Sequence, residues 1–156
     1  MTLSACFASS ASQTAMIRAA VAEDWAAIER INRDALGYDF NATERRLRDI
    51  LGRADQRVFV AETDGAVVGY IHAADYERTY GESLKNIISI AVSQDARGNG
   101  MGRELLTAVE DWARSGGAVG VRLVSGFDRT AAHGFYAACG YAERKSQKNF
   151  VKLLTS

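Results

Sequence analysis

The chain has 156 residues, 47% of them apolar and 24% charged, a balance that suits one globular domain with a sizeable core. Nineteen basic residues match nineteen acidic ones, so net charge favours neither nucleic acid nor an anionic membrane surface as a partner. No apolar run is long enough to cross a bilayer, and the two cysteines, Cys6 and Cys139, do not suggest a disulfide framework. A reducing cytoplasm is the expected location.

Residues 1–14 are rich in serine and alanine. No Lys or Arg precedes Arg18, and serines interrupt the apolar residues, which argues against a signal peptide. A flexible N-terminal extension is expected there, followed by a single domain over 15–156, and Met16 is an alternative start. Ala15 to Ala20 reads as a short strand. Trp25, Ile28, Ile31 and Leu36 form one helical stripe, stopped by Gly37. Asn41 and Glu44 have capping-box spacing, with Asn41 as the expected cap. Leu47, Ile50 and Leu51 give the second helix its apolar face, and Gly52 ends it.

Arg57 to Glu62 and Val67 to His72 alternate apolar and polar residues around Asp64-Gly65, the pattern of a tight hairpin. Ala74 to Lys85 is polar and irregular, and a loop that contacts substrate is expected there. Ile87 to Val92 is a β-branched run that predicts a buried strand. Met101, Leu105, Val109 and Trp112 share a helical stripe, and Gly116-Gly117 closes that helix. Val119 to Ser125 predicts a further strand, Thr130 to Cys139 a short helix, and Tyr141 to Leu154 one or two final strands. The order argues for an α/β fold, a mixed sheet with helices on both faces.

Between the strand at 87–92 and the helix at 101 lie glycines at 98, 100 and 102, flanked by Arg97 and Arg103. A strand, a glycine turn and a helix N-terminus together present backbone N–H groups to an anion. Arginines on either side can add charge-assisted hydrogen bonds to phosphate oxygens. A Walker loop is excluded because Gly102 is followed by Arg103 and Glu104 rather than Lys and Ser/Thr. A dinucleotide fingerprint counted from Gly98 would need glycine where Arg103 stands, and no acid follows at 118–123.

Arg97-x-x-Gly100-x-Gly102 resembles the coenzyme A pyrophosphate motif of the GNAT N-acetyltransferase superfamily, Gln/Arg-x-x-Gly-x-Gly/Ala. A second stretch, Arg129 to Tyr141, is similar to the family's Asn-x-x-Ala-x-x-Phe-Tyr-x-x-x-Gly-Phe/Tyr, with Ala132, Phe135, Tyr136, Gly140 and Tyr141 in the matching places. The resemblance implies a GNAT-like acyltransferase fold from Met16 onward. It implies acetyl-CoA as co-substrate and an amine as acceptor, by direct transfer in a ternary complex without a metal. Amino acids, polyamines, aminoglycosides, peptide N-termini and lysine side chains all stay open as acceptors, and the acids at 75, 77 and 82 favour a small cationic molecule. Ile90, Ala91 and Val92 would face the pantetheine arm. Gly98, Asn99, Gly100, Met101, Gly102 and Arg103 would surround the pyrophosphate, with Arg97 beside them. Tyr136 would protonate the departing thiolate. Arg129 departs from the family's Asn, which contacts pantetheine, so it is open to a phosphate or to solvent. Dimerisation is common in the family, which leaves a homodimer open.

An acceptor ammonium with a pKa of about 10.4 must lose a proton before it attacks, at a cost of roughly 4–5 kcal/mol at pH 7. The central strand offers Ser89, and the next strand Val124 and Ser125, with no carboxylate. His72, with an intrinsic pKa of about 6.5, is the candidate base, directly or through water. His133 lies three residues before Tyr136 and is as readily a surface residue. Asp75, Glu77 and Glu82 are candidates for drawing in a cationic acceptor, and equally solvated loop charges. Without a strand carboxylate, a non-catalytic acetyl-CoA sensor of the same fold stays open as the alternative to an enzyme.

Overall fold

The computed structural model describes residues 15–155, so the expected extension over 1–14 and Cys6 lie outside the described residues. The described residues fall into two compact units that divide after Leu123. In the first, strand β1 (Met16–Ala19) leads through a single 3-10 turn into helices α1 (Trp25–Leu36) and α2 (Thr43–Leu51). Strands β2 (Gln56–Thr63), β3 (Ala66–Arg78) and β4 (Gly81–Val92) follow, then α3 (Met101–Ser115) and β5 (Gly120–Leu123). The second unit holds α4 (Thr130–Ala138).

The sheet runs β1-β2-β3-β4-β5, antiparallel except for the parallel β4–β5 pair. Neighbouring residues of a strand point to opposite faces. On one face Val58, Val60, Tyr70 and Ala91 pack with Ile28, Ile31 and Leu47 of α1 and α2. On the other, Gly69 and Ile71 lie on the side of α3, whose Met101, Leu105, Leu106 and Val109 are buried. The mixed sheet with helices on both faces is thus the one the sequence leads us to expect. Asp64 and Gly65 both have positive φ, 51° and 80°, as the two central residues of a tight hairpin turn require.

At the start of the first unit, Arg18 ties β1 to the turn before α1. Its guanidinium donates to both Asp24 carboxylate oxygens, at 2.8 and 2.9 Å, and to Glu62 at 2.7 Å. Burial pushes the Asp24 carboxyl up, but hydrogen bonds from Arg18 and from Val21 N–H outweigh it and hold the group below its ordinary range.

Three local expectations are corrected. The stretch 74–85 is not a loop: β3 and β4 continue outward as a hairpin joined by Thr79 and Tyr80. Its polar side chains pair across the strands. Lys85 donates to Asp75, Ser83 Oγ donates to Glu77 at 2.7 Å, and Arg78 stacks over Tyr76 and Tyr80. Asn41 is not the cap of α2, which starts one residue later from Ala42. The final strands over 141–154 do not form. Phe150, Val151, Leu153 and Leu154 are at least 77% exposed, and no strand among the described residues pairs with them. An apolar run becomes a strand only where a neighbour accepts its backbone hydrogen bonds.

Candidate active site

β4 has two different edges. It pairs with β3 from Gly81 to Val92, but with β5 only over Leu84–Ile87. Beyond Ile87, the second edge of β4 has no strand beside it among the described residues. A bulge marks the separation: His72 faces Ser89 and Ala73 faces Ile87, so Ile88 has no residue opposite and is 52% exposed. Such an edge offers backbone N–H and C=O groups for pairing with an amide-bearing ligand. Ile90, Ala91 and Val92 lie on it.

The chain leaves that edge through a turn built to enter α3. Ser93 N–H donates to Val68 C=O at 2.7 Å, fixing the strand end. Arg97 Nε donates to Val92 C=O at 3.1 Å, and Asn99 Nδ2 reaches Ala96 C=O at 3.5 Å. Gly98 and Gly100 have φ of 84° and 77°, and a Cβ at either would meet nothing within 4 Å. They are needed for the backbone twist, which a side chain strains, and the space around them is open. Glu104 N–H closes the first helical turn on Gly100 C=O at 3.1 Å, leaving the N–H groups of Met101 and Gly102 without an intrahelical acceptor. Met101 is buried and holds the helix start in place, while Arg97 and Arg103 are exposed.

Gly69 is a contributor that sequence reasoning missed. A Cβ there would stand 3.2 Å from Ala91 C=O and 3.4 Å from Leu105, so a side chain would crowd the close approach of β3 to β4 and α3. The isolated glycine within the strand pattern was the available signal.

His72 lies on the α1 side of the sheet, in register with Ser89 and half-buried. Its Nε2 is 2.7 Å from Gln56 Oε1. With that oxygen accepting, Nε2 carries the proton and Nδ1 is the basic nitrogen. Burial lowers the His72 pKa, so the ring is neutral near pH 7. Two positions back on the same face, Tyr70 donates to Asn32 of α1. Burial pushes its phenol up, against hydrogen bonds with Ser89 and Asn32.

The acids between 75 and 82 do not gather near His72. Asp75 is on the opposite face, bound to Lys85, which is only 8% exposed and lies 3.9 Å from the Trp112 ring centroid. Glu77 accepts from Ser83, and Glu82 is exposed. No group of three or more His, Cys, Asp or Glu residues among the described residues could hold a metal ion.

In the second unit, α4 starts after Arg129, which occupies its cap position. Tyr136 is half-buried between aromatic neighbours, with ring centroids 5.4 Å from Phe135 and 6.2 Å from Tyr141. Burial raises its pKa, with the Arg129 charge pulling the other way, so the phenol keeps its proton at neutral pH. His133 Nε2 is 2.8 Å from Gly126 C=O, a structural hydrogen bond that closes the loop before α4. Cys139 is a free thiol, half-buried at the helix end.

The family model described as "Acetyltransferase (GNAT) family" matches residues 23–141. An "IAA acetyltransferase" from Azospirillum brasilense is 35% identical over 120 residues, covering 75% of each chain. A "Phosphinothricin N-acetyltransferase" from Alcaligenes faecalis is 35% identical over 89 residues, 54% of this chain and 43% of that protein. Among solved structures, the aminoglycoside 6'-N-acetyltransferase AAC(6')-Ih from Acinetobacter baumannii superimposes with a TM-score of 0.79 at 18% identity, over 91% of this chain and 100% of that one. The aminoglycoside N-acetyltransferase AAC(6')-Iy, in complex with CoA, gives 0.81 at 18% identity, over 90% and 95%. At that identity the structural matches speak for the fold.

Proposed function

The chain belongs to the GNAT acetyltransferase family and is an N-acetyltransferase, and from that premise we propose that it transfers the acetyl group of acetyl-CoA directly to the amine of a small molecule. The observation that carries the reading is the bare β4 edge over 88–92, which runs straight into the glycine turn and the N-terminus of α3. Pantetheine amides pair with the backbone of Ile90, Ala91 and Val92. The pyrophosphate lies on the Gly98–Arg103 turn, where the α3 dipole and the N–H groups of Met101 and Gly102 favour negative charge. Arg97 and Arg103 add positive charge there, and Arg129 is assigned to the coenzyme as well.

The neutral amine attacks the thioester carbonyl, a C–N bond forms, and the C–S bond breaks. The departing coenzyme A thiolate takes the proton of the Tyr136 phenol, a group that burial keeps protonated. The excess amine proton passes to His72, directly or through water. A lowered pKa suits His72 to this step, because its ring is unprotonated near neutrality. We assign the reaction to the cytoplasm, where a free thiol such as Cys139 stays reduced.

Calorimetry with acetyl-CoA, and with ATP and NAD as controls, tests the proposal. Binding of acetyl-CoA in the micromolar range, with neither control binding, is the expected result. Equal or tighter binding of ATP or NAD would overturn it. Retention of full turnover by Tyr136→Phe would remove the acid role from that residue.

A further inference from the structure

The α1 side of the sheet continues past His72 into the outer hairpin. On β3 the side chains of Tyr70, His72, Ala74 and Tyr76 alternate onto that face, and on β4 Asn86 stands opposite Ala74. The next strand adds Arg122, in register with Asn86. Arg122 Nη1 donates to Asn86 Oδ1 at 2.6 Å, and its guanidinium carbon lies 4.4 Å from the Tyr76 ring centroid. Arg122, Asn86 and Tyr76 are all half-buried. No Asp or Glu among the described residues forms an ion pair with Arg122. The nearby acid along the hairpin, Asp75, is bound by Lys85 on the other face.

A half-buried guanidinium, held over an aromatic ring and oriented by one amide, keeps most of its fork of donors for a planar anion. We propose that Arg122 is the acceptor-recognition residue and that the acceptor amine carries a carboxylate. The inference rests on the acetyl-donor reading above and names the substrate class of the same site. Asn86 fixes the guanidinium from one side and Tyr76 supplies the ring beneath it. Spacing follows from the strand. Asn86 and Ile90 are four residues apart, about 13 Å at roughly 3.3 Å per residue, shortened by the bulge at Ile88. Arg122 lies alongside Asn86, so the carboxylate sits several ångströms from the reacting amine, further than in an α-amino acid. A polycation meets Arg122 as a like charge and is disfavoured.

Release of coenzyme A, followed with a thiol reagent, tests this across matched pairs: glycine and methylamine, 4-aminobutyrate and propylamine, 6-aminohexanoate and pentylamine, with spermidine as the polycation. The expected result is kcat/KM at least about tenfold higher for 6-aminohexanoate than for pentylamine, the size of one charge-assisted bidentate contact. Glycine should gain little over methylamine. In Arg122→Gln the ratio for the long pair falls to about one, Arg122→Lys restores part of it, and acetyl-CoA affinity, measured calorimetrically, shows that both variants are folded. Tyr76→Leu, which removes the ring and leaves the charge, lowers the same ratio to a smaller extent. If acetyl-CoA does not bind at all, the donor-site reading fails and this proposal with it. If acetyl-CoA binds but pentylamine or spermidine matches 6-aminohexanoate, if no carboxylated amine is turned over, or if Arg122→Gln keeps the preference, the carboxylate proposal alone is wrong.

Discussion

The two halves of β4 obey different rules. The outer half, Gly81–Ile87, is flanked by β3 throughout and by β5 from Leu84 onward. Its stability comes from cross-strand partners such as Lys85 with Asp75 and Asn86 with Arg122. The inner half, Ile88–Val92, keeps β3 alone and ends in the turn that starts α3. Outside, polar side chains make a strand that the hydrophobic pattern does not announce. Inside, an apolar strand gains a use because one of its edges is left bare. A sheet can therefore place its strongest pairing and its binding edge on one strand, provided that a neighbour stops early.

The comparison breaks most sharply at Asp75. Asp75→Ala leaves the buried Lys85 ammonium over Trp112 without its carboxylate, and stability should fall by about 2–3 kcal/mol in a denaturant titration. Acetyl-CoA affinity of the folded variant should be unchanged, because the damage is confined to the outer half. Gly100→Asp acts on the inner half. It puts a carboxylate at the α3 N-terminus and a Cβ on a backbone with φ of 77°, so acetyl-CoA affinity should drop by about 2 kcal/mol, roughly thirtyfold, by calorimetry. Gly69→Ala, whose Cβ would stand 3.2 Å from Ala91 C=O, should cost about 1 kcal/mol or more of stability and weaken acetyl-CoA binding slightly.

The smallest effect is a pH dependence set by His72. Its folded pKa lies below the ordinary 6.5, so between those two values the unfolded chain binds more protons. Stability rises with pH through that window and is lost as pH falls below about 6.5. His72→Gln should flatten that part of a plot of Tm against pH. The Asp24 carboxyl, also held low, contributes in a separate window, below about 3.9, and leaves this one undisturbed.

What the sequence made legible is local chemistry with a fixed spacing. Asp64-Gly65 specified its turn, Ile87 to Val92 its strand, and Gly98, Gly100 and Met101 the entry to α3, because each depends on neighbours a few residues away. The outer hairpin was not legible, since its alternation is of polar with polar and its partners meet only across the turn, as Ser83 meets Glu77 and Lys85 meets Asp75. The bare edge could not be read either, because it depends on where β5 stops, at Leu123, and not on any residue of β4. Phe150 to Leu154 shows the converse: the pattern of a strand was present, and the partner was not. Arg122 and Asn86 escaped notice because they become neighbours only through the parallel register of β4 and β5.

Amide hydrogen exchange, with and without acetyl-CoA, tests the central claim most directly. In the free protein the amides of 88–92 should exchange faster than those of 84–87, which have strands on both sides. Adding acetyl-CoA should slow exchange over 88–92 and 98–103 and leave 81–86 as it was. Protection confined to the outer hairpin, or none along β4 while acetyl-CoA is bound, would contradict the account.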